Sequence, residues 1–271
     1  MIKIKAHIIR VKLLVFLTGL NLFSCEKVID VDVSDTDTKI VIEAIYDATS
    51  ERVDVNISKS KNVFGANVFP SVKGAIIQIK NDSGESKMLN EIGDGKYELT
   101  DYSPVYSSKY TMTVLVEEQE YIAENFLPPV VPLDSLTQEF QEASLFGDEG
   151  YIVYMNFTDP GGENYYRAMR KVNGDPLESL GEQFIFDNAF SAGNSQTVPF
   201  FSTRHEVNDT IEVDLRSYSK KSYDYYSELF DIVGDSGQSA APANPISNWS
   251  NGALGHFGTW GFDRKVIVIG E

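Results

Sequence analysis

Residues 53–58 read Val53-Asp54-Val55-Asn56-Ile57-Ser58, apolar and polar in strict alternation. A period of two is what a strand produces when one face lies on a core and the other in water. The period recurs downstream: Ala75, Ile77 and Ile79 alternate with Ile76, Gln78 and Lys80, and Tyr110, Met112, Val114 and Val116 with Thr111, Thr113 and Leu115. Between the runs lie Asn81-Asp82-Ser83-Gly84 and Gly93-Asp94-Gly95, residues that tolerate positive φ and turn the chain tightly. No helical period interrupts them. About seven short strands of this kind predict an immunoglobulin-like β-sandwich over residues 39–131.

Pro128-Pro129-Val130-Val131-Pro132 closes that region, because proline donates no hydrogen bond and restricts the residue before it. Beyond this boundary the pattern is again mostly strand, at Leu136–Phe140, Tyr151–Phe157, Tyr165–Val172, Ile211–Leu215 and Val266–Ile269. One stretch differs: Tyr223, Tyr226, Phe230 and Val233 fall on one face of a helix over about 219–233, with Ser219 or Ser222 to cap its start and Gly234 its end. The expectation is a mainly all-β protein of two β-sandwich domains, the N-terminal one immunoglobulin-like and the second, residues 132–271, carrying the helix as a crossover or lid.

Upstream, residues 1–12 hold Lys3, Lys5, Arg10 and Lys12 and no acid, and residues 13–23 are apolar apart from Thr18, Gly19 and Asn21. A spanning helix needs about 20 apolar residues, so this run reads as the core of a signal peptide covering residues 1–24. Leu22-Phe23-Ser24-Cys25 follows and resembles the bacterial lipobox. Cys25 is the sole cysteine of 271 residues, so an intramolecular disulfide is impossible and lipidation of Cys25 is the expected use. Diacylglycerol on sulfur plus a palmitate-type N-acyl chain exceeds the two anchors that stable membrane attachment requires. Residues 25–38 then read as an acidic tether; Asp30, Asp32, Asp35 and Asp37 lack the glycine and distal glutamate of a calcium loop.

The chain carries 23 basic and 40 acidic residues. Cleavage removes four basic residues and no acid, which takes the net charge from −17 to −21. Such a body excludes binding to nucleic acid through a general positive field.

Candidate chemistry is sparse. Gly234-Asp235-Ser236-Gly237 resembles the nucleophile segment of trypsin-like proteases, but the only histidines after the leader, His205 and His256, lie in no matching context, so the segment reads as a loop after the helix. Two histidines without a cysteine make no metal set, and no phosphate-binding glycine motif is present, so neither metal nor cofactor is expected. Two aromatic segments stand apart: FTDPGGENYYR at 157–167, and the glycine-rich stretch 242–260 that holds both tryptophans. They nominate Tyr165, Tyr166, Arg167, Trp249, His256, Phe257 and Trp260 as a binding surface. The alternative is that these aromatics plug the end of the sandwich.

Several segments in order, namely CEKVIDVDV at 25–33, VKGA at 72–75, DSL at 134–136, FTDPGGENYYR at 157–167 and PANPISNWSNGALGHFG at 242–258, resemble the DUF4249 family of Bacteroidota lipoproteins. The resemblance implies an outer-membrane lipoprotein, periplasmic or surface-facing, associated with TonB-dependent receptors, and it supplies no catalytic residue. The expected function is that of a non-enzymatic accessory or ligand-binding partner of such a transporter. A surface adhesion or structural module, and a hydrolase built on paired carboxylates, are the alternatives.

Overall fold

A computed structural model describes residues 38–60, 69–143, 148–176, 184–234 and 244–270. The proposed signal peptide, Cys25 and the acidic tether up to Asp37, and the Asp235-Ser236-Gly237 segment, lie outside the described residues.

The alternating runs form strands with their apolar positions inward. Strands β1 (Ile40–Asp47), β2 (Arg52–Lys59), β6 (Lys96–Leu99) and β5 (Asn90–Gly93) lie side by side in that order. Facing them is a second sheet in the order β4 (Ser86–Met88), β3 (Ile76–Asn81), β7 (Ser108–Val116) and β8 (Gln119–Leu127). Lettered along the chain, these are the A-B-E-D and C′-C-F-G sheets of an immunoglobulin-type sandwich. Tyr110, near the start of β7, supports the assignment: its hydroxyl accepts the Val105 N–H at 2.7 Å, the corner tyrosine of that topology. The turn at Asn81–Gly84 forms as read, with Gly84 N–H on the Asn81 carbonyl at 3.0 Å and Gly84 at φ +88°.

The C-terminal sandwich is built from β11 (Tyr165–Val172), β15 (Thr210–Tyr218) and β16 (Phe257–Val268) on one side. The three-stranded sheet of β14 (Ser195–Pro199), β10 (Gly150–Thr158) and β9 (Leu133–Gln141) forms the other. The short strands β12 (Asp175–Pro176) and β13 (Phe184–Asp187) both pair with β11.

The two sandwiches share a layer. Phe257–Trp260 of β16 pairs in parallel with Ala44–Asp47 of β1, while Trp260–Val268 pairs antiparallel with β15. One continuous sheet therefore runs through both halves, and residues from Thr38 onward form one compact unit. The core nevertheless divides. One buried cluster holds residues from Ile42 to Leu127 together with Trp249, Ala253 and Phe257; the other runs from Val131 to Ile269. The proline stretch lies where the clusters change over, but the chain returns to the first cluster at Trp249, so the halves interlock rather than follow one another.

The helix α1 (Lys220–Gly234) starts one residue later than the sequence places it. Ser219 is its cap: its Oγ accepts the Ser222 N–H at 3.1 Å. The helix lies over β11, β13, β15 and β16, consistent with a lid. Of the face expected to be apolar, Tyr226 packs on Tyr218 and Trp260, whereas Val233 is 57% exposed.

Candidate functional site

The structure buries six of the seven aromatic-segment residues that sequence nominates as a binding surface, so they form no exposed aromatic patch, although His256 among them lines a cleft. Tyr166 is 1% exposed, Arg167 8%, Trp249 6%, His256 4%, Phe257 0% and Trp260 3%. Tyr165 alone is half-buried, its ring 4.9 Å from that of Tyr223.

The segment 157–167 closes on Asp159, a buried carboxylate. It accepts the N–H of Gly161 at 2.8 Å and of Gly193 at 3.0 Å, the Tyr166 hydroxyl at 2.6 Å and Asn188 Nδ2 at 2.9 Å. Burial alone would raise its pKa, but these four donors outweigh it and hold the carboxyl below its ordinary value. The aromatic strand is thus held by its own turn. Arg167 then points under α1, its guanidinium 5.1 Å from the Tyr226 ring and 5.0 Å from the Phe230 ring, donating to the Tyr218 hydroxyl at 3.1 Å.

Residues 248–256 form a clasp across the open side of the N-terminal sandwich. Ile42 N–H donates to the Leu254 carbonyl and Leu254 N–H to the Ile40 carbonyl, both at 2.9 Å. On the opposite sheet Ser250 N–H reaches the Ile122 carbonyl at 2.8 Å. Trp249 sits between, its indole N–H on the Ile42 carbonyl at 2.9 Å. Gly255, at φ +93°, lies where a Cβ would collide with the Ile42 backbone carbonyl. Asn248 mimics a strand, donating to the Phe257 carbonyl and accepting its N–H, each at 2.9 Å.

His256 ties the clasp to α1. Its Nε2 lies 3.1 Å from Ser222 Oγ, and its ring stacks on Tyr225 with centroids 4.5 Å apart and planes 12° from parallel. Burial, with a smaller push from Lys221, lowers its pKa to about 3, so the ring is neutral. A serine and a histidine at this distance resemble a nucleophile and its base. Ser222 is fully buried, however, and Asn125 Nδ2 donates to its Oγ at 2.9 Å while also donating to the Phe257 carbonyl at 2.7 Å. The pair joins helix, β8 and β16.

Beside this tie opens a cleft of about 580 Å³, between α1 and the outer face of β1, β2, β5 and β6. Tyr225, Tyr226, Leu229 and His256 form one wall; Glu43, Arg52, Asp54, Asn56, Ile92 and Lys96 line the other. Arg52 holds Asp54 with Nη2 to Oδ1 at 2.7 Å and reaches Glu98 at 2.6 Å, and Asn56 Nδ2 donates to Glu43 at 3.3 Å. Burial and then the Glu43 carboxylate raise the pKa of the Tyr225 hydroxyl, which stays protonated and able to donate. Of the lining residues, sequence reasoning nominated only His256 for binding; Tyr226 it read as part of the apolar face of the helix. Asp54 and Asn56 are legible as the wet positions of an alternating strand, but nothing near them tells that a helix far along the chain covers them. Among the described residues no group of three or more histidine, cysteine or acidic side chains could hold a metal ion.

Fold and site together define a β protein of two sandwiches sharing one sheet, in which the helix α1 walls a cleft of mixed polar and apolar lining. The chain belongs to the family described as a domain of unknown function, DUF4249, whose profile matches residues 26–265. No curated protein matches it. Among solved structures it is similar to the selenomethionine-substituted chicken interferon gamma receptor alpha chain, at 11% identity over 68% of this chain and 88% of that one, with a TM-score of 0.19. It is also similar to the FN1–FN3 domains of chicken CNTN1, at 9% identity over 65% and 59%, with a TM-score of 0.25. The fold assignment rests on strand order and register.

Proposed function

We propose that this chain is a non-enzymatic protein, lipidated on Cys25 and held at the outer membrane, that serves a TonB-dependent transporter by capturing a ligand or docking on the barrel. The anchor follows from Leu22-Phe23-Ser24-Cys25 after a short apolar run, and the transporter from what resemblance to the family implies. Among the described residues no helix is long and apolar enough to cross a membrane.

The cleft carries the reading of binding without catalysis. It is a preformed concave site of the size small ligands occupy, and its carboxylates Asp54 and Glu43 are engaged by Arg52 and Asn56. Affinity purification of the tagged chain from detergent-solubilised outer membranes tests the proposal, with Cys25→Ala as control. A TonB-dependent receptor that co-purifies and is lost in the control is the expected result; recovery of the chain alone under gentle conditions would sink it.

A further inference from the structure

We infer that the turn at 188–194 and the notch beside it form a docking surface for a protein partner, Phe190 entering an apolar socket and a partner lysine or arginine entering the notch between Glu163 and Asp187. Phe190 is fully exposed, at 103%. A lone exposed phenylalanine is ordinary surface; this one is held out on a turn tied to the interior. Asn188, 4% exposed, donates from Nδ2 to Asp159 Oδ1 at 2.9 Å and to the Gly162 carbonyl at 2.7 Å. Ser191 N–H reaches the Asn188 carbonyl at 2.9 Å, and Gly193 N–H the Asp159 carboxylate at 3.0 Å. A turn fixed in this way has little conformational freedom left to lose on binding, which favours the aromatic ring it carries as an anchor.

The notch supplies the charge that selects the partner. Its volume of about 330 Å³ is at the lower limit for a small-ligand pocket and ample for one long side chain. Ala189 and Ala192 line it from the turn itself, so it opens beside Phe190. Glu163 and Asp187 line it too, and among the described residues no lysine or arginine forms an ion pair with either. Lys220, 5.8 Å from the ring of Tyr165, is held by Asp224 at 2.6 Å. The notch therefore carries a surplus of negative charge that a partner's cation complements. A second copy of this chain, at net charge −17, and an anionic lipid surface both meet that surplus with charge of the same sign.

This deepens the docking half of the proposed function and rests on that reading for the partner's identity, though not for its surface chemistry. The test uses the full-length, anchored chain in its native cells, with Phe190 replaced by the photocrosslinker p-benzoylphenylalanine. The same replacement at Phe201, which is 64% exposed, is the control. Irradiation is expected to give one protein adduct from position 190 and not from 201, mapped to apolar residues beside a lysine or arginine. Glu163→Lys reverses one charge, and Asp187→Asn removes the other while keeping Oδ1 to accept the Ala189 N–H at 3.1 Å. Each should cut the adduct yield about tenfold with the thermal midpoint unchanged. No protein adduct from position 190, an adduct only with lipid or with a second copy, the same protein captured from position 201, or undiminished yield in either variant overturns the inference. An adduct with a protein other than a TonB-dependent receptor sinks the transporter reading alone; a receptor recovered by pull-down without an adduct at position 190 sinks the docking surface alone.

Discussion

The two aromatic segments, the turn around Asp159 and the clasp around Trp249, have similar compositions and opposite reach. Asp159 takes its partners from Gly161, Tyr166, Asn188 and Gly193, all within the C-terminal sandwich. Trp249 is bonded to Ile42, 207 residues away, and its neighbour Asn251 to Glu120, 131 residues away. The first segment fixes the shape of its own sandwich; the second makes one sandwich depend on the other. A cut after residue 131 would strip β1 of its partner β16 and take Trp249 and Phe257 out of the first core.

The sharpest way to break this comparison is Trp249→Ala. It removes a side chain 6% exposed from the N-terminal core and leaves the Ile42 carbonyl without its indole donor. A loss of about 4 kcal/mol is expected, read as a fall in the urea midpoint. Because β16 is shared, both sandwiches should unfold in one transition. Two separated transitions would show that Trp249, and not the shared β16, couples the sandwiches; a loss under about 1 kcal/mol would show that the clasp contributes little to the first core.

Asp159→Ala should cost less, about 3 kcal/mol, through the orphaned hydroxyl of Tyr166, the Asn188 amide and two backbone N–H groups. Its effect should be confined: the fluorescence of Trp249 in the remaining native protein should not change. A larger loss than for Trp249→Ala would reverse the ranking of local turn and distant clasp.

What was legible in the sequence follows the same divide between near and far. Strands β2, β3 and β7 have one face on a core and one outward, and their alternation shows in the chain. The first half of β16 does not alternate, because Phe257, Gly258, Thr259, Trp260 and Gly261 are all buried; sequence places them in an irregular stretch and recovers only the end of the strand. Gly261 is small for a reason seen only in three dimensions, since a Cβ there would lie 2.5 Å from Val130 Cγ2. The helix was readable from its spacing, but its cap only as either Ser219 or Ser222, since both are serines near its start and the choice depends on where the first turn begins. Aromatic composition singled out two segments without showing that most of their rings face inward. The cleft was illegible because its walls come from residues 43–56 and 92–96 on one side and 225–256 on the other.

Acid should separate the two segments further, and with the smallest effect per step. His256, in the clasp, has its pKa lowered by burial to about 3, and His205, in the C-terminal sandwich, by burial and Arg170 to about 4. Unfolded, each takes up a proton near pH 6.5. Below that pH the unfolded chain therefore binds more protons than the folded one, and stability falls as pH falls, by about 1.4 kcal/mol per pH unit for each histidine, until the folded pKa is reached. Asp159 acts lower down: its pKa is depressed, so its contribution is full above the unfolded carboxylate value of about 3.9 and is lost as pH drops through the folded one. Urea midpoints measured from pH 7 to pH 3 in His256→Gln should show roughly half the wild-type slope between pH 6 and pH 4.5, the remainder belonging to His205. Asp159→Asn should leave that slope intact and flatten the curve only below about pH 4. An unchanged slope in His256→Gln would mean that the folded chain takes up a proton on the clasp histidine as readily as the unfolded one, so that neither burial nor the Ser222 tie holds the ring neutral.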